Sequence, residues 1–300
     1  MDMIQNKCCR HGASLRRRRR RRRKILRSII FSCSIIAVVV FVAVGSSMIR
    51  SGDGRTNRYD VEAGNNTYDN AVIENSKISG KNKIQNNQSM LDDIMNSTQY
   101  PKQLKDLALK NEEALEFVYD YPAEHVKEHT IDLTEEASMD SVPLFVQWDK
   151  RWGYKKYSGN FFAASGCGPT TLSMVVVYLT HNREASPIAV AKYSKEAGYS
   201  VDGSGSSWTL ISEGCRHYGV KAKTVALDES RMKAELDAGH PIVINVGPGD
   251  FTDTGHFMVI TGYDDEGFSI NDPNSIEKSG KRWLFKNISS QIRAVWSMYV

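Results

Sequence analysis

The longest apolar run of the chain is "SIIFSCSIIAVVVFVAVGSSMI" (28–49), 22 residues without a charge. At 1.5 Å per residue it reaches roughly the 30 Å of a bilayer's hydrocarbon core, which predicts one transmembrane helix. From Ser51 to about Tyr100 the pattern breaks: nine asparagines, much Ser, Gly and Lys, and no Phe or Trp. Such a stretch has too little apolar surface to offset chain entropy and predicts a flexible stalk over 50–100. Within "YPKQLKDLALKNEEALEFVYDYP" (100–122), Leu104, Leu107, Ala108, Leu115 and Val118 fall at helical spacing between Pro101 and Pro122. This predicts a helical arm, within 101–140, that packs on the domain behind it.

From about Ser141 the pattern becomes that of a compact domain. Helices are predicted for "CGPTTLSMVVVYLTHN" (167–182), "SPIAVAKYSKEAG" (186–198) and "GSSWTLISEGCRHYG" (205–219), the last two ending at a glycine. Strands follow in "PIVINVG" (241–247), "GHFMVITGYD" (255–264), "GFSIND" (267–272) and "RAVWSMYV" (293–300). Helices followed by an antiparallel sheet make an α+β domain over 141–300.

Charge changes this picture at one end only. The chain of 300 residues has a net charge of +4, but its first fifty residues hold thirteen Lys/Arg against one acid, so the remainder is acidic. The arginine run 16–23 directly precedes the apolar span, which predicts a cytoplasmic segment 1–27 and an exported C-terminal domain, extracellular on a single-pass membrane protein. A cleaved signal peptide is the alternative, since "AVGS" (43–46) offers small residues at a cut; the domain would then be secreted. The run's position against an apolar span accounts for it without a nucleic-acid partner.

Five cysteines, Cys8, Cys9, Cys33, Cys167 and Cys215, have neither metal-site nor disulfide-framework spacing, and no cofactor is expected. Cys8 and Cys9 lie near the predicted span, where lipidation is chemically open and undecided. Cys167 stands between Gly166 and Gly168 at the mouth of a helix, with Ser165 as an expected cap and Pro169 in the first turn. Helix N-H groups there favour thiolate, and the bare flanks favour close approach by a substrate backbone. Cys215 falls with Trp208, Ile211 and Tyr218 on one helix face and is expected in the core, as is Trp208, which could alternatively line a cleft. In "TGHFMVITGYDDEGFSINDP" a hairpin turning about residue 264 sets His256 opposite Asp272, a carboxylate placed to orient an imidazole. Gln147 in "VPLFVQWDKRWGYKKY" supplies an amide that can assist in binding an oxyanion.

The motifs "QWDKRW", "SGCGPTTLSMV", "GSSWTLI", "GHFMVITGYDDEGFSINDP" and "KRWLF", in this order, resemble the papain-like cysteine peptidases of the bacteriocin-processing type. The likeness covers about 141–300 and is greatest to stand-alone, membrane-anchored bacterial members, in which a helical arm often precedes the domain. It implies a papain-like fold, with a helical lobe bearing the nucleophile and a β lobe bearing the base. It further implies Cys167 as nucleophile, His256 as general base, Asp272 as the orienting residue and Gln147 as oxyanion donor. Gly166, Gly168, Trp208 and Gly255 are implied beside a peptide or protein substrate. Gln147 departs from the transporter-fused members, where the glutamine lies only a few residues before the cysteine. Those members also act in the cytosol on double-glycine leaders, so that substrate does not carry over to an exported domain. On the same site a cell-wall amidase or acyl transferase is the alternative enzyme, and a catalytically silent peptide-binding module the alternative of a different class. Oligomeric state and P1 preference are not legible in the sequence.

Overall fold

The computed structural model describes residues 83–300. The predicted cytoplasmic segment, the membrane span and the stalk up to residue 82 lie outside the described residues, and among these no helix is long and apolar enough to cross a membrane.

The stalk expected up to residue 100 ends earlier. Residues 83–96 form a helix, α1, whose Met90, Leu91 and Ile94 pack into one cluster with the arm, Ile94 being fully buried. Average composition hid it, because these three apolar residues stand among asparagines and acids while sharing one helical face. The arm follows as α2 (Lys102–Lys110) and α3 (Leu115–Tyr119). Asn111 separates them, its extended backbone ending α2 and its side-chain oxygen accepting from the Glu113 N–H. Leu104, Leu107, Ala108, Leu115 and Val118 are all buried, against Tyr154, Phe161 and Ala163 of the domain behind.

The domain centres on α4 (Cys167–Thr180), a helix buried from Gly168 through Val177. A helix apolar all round belongs in a core, and its polar members are satisfied locally. Thr170 Oγ1 donates to Gly166 O at 2.8 Å, and Ser173 Oγ donates to Ala185 O. Next comes α5 (Pro187–Glu196), capped by Ser186. The helix expected over 205–219 is instead broken, a short turn at Thr209–Ser212 followed by 3-10 geometry at Gly214–Tyr218. The expected stripe holds in part: Ile211 and Cys215 are fully buried, whereas Trp208, ahead of the first turn, is 46% exposed. Trp208 is therefore not core, and its ring stands edge-on to Trp296.

Six antiparallel strands form the sheet: β1 (Lys221–Thr224), β2 (Ile242–Val246), β3 (His256–Asp264), β4 (Gly267–Asn271), β5 (Arg282–Trp283) and β6 (Ile292–Tyr299). Their order is β1-β6-β2-β3-β4-β5. Between β1 and β2 lies α6 (Glu229–Asp237), capped by Asp228. The central strands are covered on both faces, which explains their near-continuous apolar runs. Val243, Phe257, Val259, Trp296 and Met298 face the helices, while Ile242, Ile244, Met258, Ile260 and Val295 face a second cluster with Met232 of α6.

Candidate active site

Cys167 is the first residue of α4 and half-buried. Gly166, not Ser165, is its cap; the Ser165 hydroxyl instead donates to the carbonyls of Tyr157 and Phe161. The flanking glycines are packed against neighbouring chain. Both are buried: a Cβ on Gly166 would meet the Phe162 ring at 2.5 Å, and one on Gly168 would meet Ser206 Oγ at 2.5 Å. They are bare because neighbouring chain packs onto them, with Ser206 and Leu210 seated beside the nucleophile's helix.

His256 opens β3 opposite Val246 and is buried. Its Nε2 lies 2.6 Å from Asp272 Oδ1, and the Asp272 carboxylate is almost wholly buried. The route to this pair differs from the expected one. The hairpin turns at Asp265–Glu266, with Asp264 paired to Gly267, and a bulge between Ile260 and Gly262 shifts the register so that Val259 faces Asn271. His256 and Asp272 are consequently not direct cross-strand neighbours. Asp272 lies just past the end of β4, in a bridge with Ser275, and reaches His256 across an offset of two residues. An even offset leaves both side chains on one face, so the contact survives the register shift.

With Nε2 engaged by Asp272, the other ring nitrogen, Nδ1, is left for Cys167. Burial alone pushes the Cys167 thiol up, but its hydrogen bond to His256, the imidazole's charge and the amides of Phe257 and Gly168 outweigh it and bring the thiol below its ordinary value. Burial likewise disfavours charged His256, and the Asp272 carboxylate with the Cys167 hydrogen bond overrides it and raises the imidazole. Opposite shifts of this kind favour a thiolate–imidazolium pair.

A cavity of about 650 Å³ opens over these groups, lined by Cys167, His256, Gln147 and Gly255. Gln147 is buried, held by its backbone N–H to Pro273 O at 2.7 Å and by Nε2 to Ala163 O at 2.7 Å. Gly255 is exposed on the rim, where a Cβ would meet only Val246 O at 3.9 Å. Trp208 is not among the lining residues; Asp106, Lys110 and Asn111 of the arm are, which the sequence did not suggest. Among the described residues, the two buried side-chain oxygens without a partner are Gln147 Oε1 and Asp272 Oδ2.

The model of the Peptidase_C39-like family matches residues 139–300. The chain belongs to this family. Its match starts after the arm, so α1, α2 and α3 lie outside the C39-like region. Among solved structures, the peptidase domain of Streptococcus ComA, a bi-functional ABC transporter involved in quorum sensing, is 18% identical with a TM-score of 0.39. That alignment covers 53% of this chain and 96% of the ComA domain. A putative C39-like peptidase from Bacillus anthracis is 17% identical with a TM-score of 0.34, covering 53% of this chain and 95% of that one. No curated protein sequence matches the chain. Membership supports a cysteine peptidase fold, and the mixed helix-and-sheet architecture of this C39-like chain agrees with it.

Proposed function

We propose that this C39-like protein is an active cysteine peptidase using Cys167, His256 and Asp272 as its triad. The observation that carries the reading is the buried 2.6 Å contact of His256 Nε2 with Asp272 Oδ1, which leaves Nδ1 for a thiol whose pKa is lowered. In the proposed reaction the Cys167 thiolate attacks the scissile carbonyl, and His256 delivers a proton to the leaving amine. Water then hydrolyses the thioester, with His256 taking its proton. Gln147, on the same cavity, shares the oxyanion with backbone N–H groups at the start of α4. One hydrogen of its amide is committed to Ala163 O, so this role falls to the other. The substrate is a peptide or protein chain laid along the cavity.

The apolar span 28–49 and the arginines before it support a membrane-anchored peptidase with the domain outside the cell. An epoxide inhibitor of papain-like enzymes tests the catalytic reading. It should modify Cys167 stoichiometrically and abolish hydrolysis of a peptide library, as should Cys167→Ala. Hydrolysis that persists in pure Cys167→Ala protein, or a native domain inert to the epoxide, would overturn it.

A further inference from the structure

The helical arm holds the loop that carries Asp272. Asn111 Nδ2 donates to the carbonyl and side-chain oxygens of Asn274, at 2.8 and 3.1 Å. Two residues on, the Glu113 carboxylate accepts from Ser275 Oγ, from the Ile276 N–H at 2.7 Å and from the Glu277 N–H at 3.0 Å. The Asn274 N–H in turn donates to Asp272 Oδ1 at 2.8 Å, the same oxygen that meets His256. From the domain side this loop is held at Pro273 and Asn274, by the Gln147 N–H and Trp148 Nε1. Residues 275–277 are reached from the arm only by Glu113, through three bonds to one ionised acceptor, a stronger arrangement than neutral pairs.

We propose that Glu113 and Asn111 are positioning residues of the active site, setting Asp272 against His256 through the 274–277 loop. The working catalytic unit would then extend N-terminal to the family-matched region, into the arm. This rests on the triad reading above, and predicts that weakening the latch alters the protonation of the Cys167–His256 pair as well as turnover. Asp272 raises the imidazole, so a loosened Asp272 lets His256 lose its proton at lower pH and lowers the Cys167 thiol less.

The test uses the full chain, with rates of Cys167 alkylation against pH measured beside peptide hydrolysis. Displacing a catalytic group by about 1 Å can cost on the order of 10²-fold, so a partial displacement in Glu113→Ala is expected to lower kcat by about tenfold with KM little changed. The acid limb of the alkylation profile should move to higher pH and the alkaline limb of hydrolysis to lower pH, and Glu113→Gln, which keeps one acceptor oxygen, should recover most of these effects. In an Asp272→Asn background Glu113→Ala should add almost nothing. A profile in Glu113→Ala that coincides with the parent's, or losses that multiply in the double variant, would overturn the proposal. Should Glu113→Ala fail to fold, Asn111→Ser decides by the same two readouts. If Asp272→Asn alone leaves both hydrolysis and alkylation unchanged, the triad reading fails first and takes this proposal with it.

Discussion

Thr171, one turn into α4, donates its hydroxyl to the carbonyl of Phe257 at 3.0 Å, both residues being buried. Phe257 follows His256 directly, and Thr171 sits four residues after Cys167. One hydrogen bond thus joins the helix of the nucleophile to the strand of the base, beside the reacting pair. Its value is less in average stability than in the separation it enforces between α4 and β3, around which the shared core is non-directional apolar packing.

Thr171→Val keeps shape and volume but leaves the Phe257 carbonyl without this donor. An unsatisfied buried acceptor costs about 1–3 kcal/mol, so a lower Tm is expected together with slower alkylation of Cys167 near neutral pH. Thr171→Ser retains the donor, and should keep the thiol's reactivity while losing some stability to the missing methyl. Equal thiol reactivity in the parent and Thr171→Val would show that packing alone sets the distance.

The bare flank at Gly168 makes a second expectation concrete. An added Cβ would lie 2.5 Å from Ser206 Oγ and 2.7 Å from its Cβ, and Ser206 is itself bonded to the Tyr157 hydroxyl. Overpacking of this kind typically costs about 1–3 kcal/mol, so Gly168→Ala should melt at lower temperature. Adding Ser206→Gly should recover much of that loss, which thermal denaturation of the two variants would measure. Gly255→Ala, on the open rim, should melt like the parent. A Gly168→Ala protein as stable as Gly255→Ala would return Gly168 to the role of clearing space for substrate.

Gly168 also marks where sequence reasoning stops. That the position must be bare is visible in "GCGP", but what lies against it is not, because Ser206 arrives from a segment almost forty residues away. Cys167, His256, Asp272 and Gln147 could be nominated because local chemistry singles each out: a thiol at a helix start, an imidazole and a carboxylate on one hairpin, an amide beside tryptophans. The hairpin geometry was only half legible, since the bulge after Ile260 leaves no mark in an apolar–polar pattern. Asn111 and Glu113 read as ordinary turn and helix residues, and their meaning comes from partners more than 160 positions distant. β1 leaves no apolar signal, because Lys221–Thr224 has little apolar content, as suits the edge of a sheet. Helix α6 is silent in the pattern for a similar reason, burying only Met232.

The two cysteines of the described domain should behave as opposites. Cys215 is fully enclosed and burial pushes its thiol up to about 11, whereas Cys167 is half-buried on the cavity with its thiol pulled below the ordinary value by His256. Thiolate, not thiol, is the nucleophile, so brief alkylation of the native domain at about pH 6 should label Cys167 and leave Cys215 intact. The pH profile follows from the two directions. As pH falls through the lowered Cys167 value the thiolate is protonated and labelling declines; as pH rises through the raised His256 value the imidazolium is lost, and hydrolysis, which needs its proton for the leaving amine, declines. Hydrolysis should therefore be bell-shaped, while labelling keeps a thiolate on the alkaline side. His256→Ala removes the partner that stabilises the thiolate, so its acid limb should move to higher pH and labelling at about pH 6 should fall steeply. Denaturant removes every one of these environments and should bring the two cysteines to similar rates. Mass-spectrometric mapping of the labelled residue decides the matter: Cys215 labelled first in native protein, or an acid limb unmoved in His256→Ala, would mean that the imidazole beside Cys167 does not activate it.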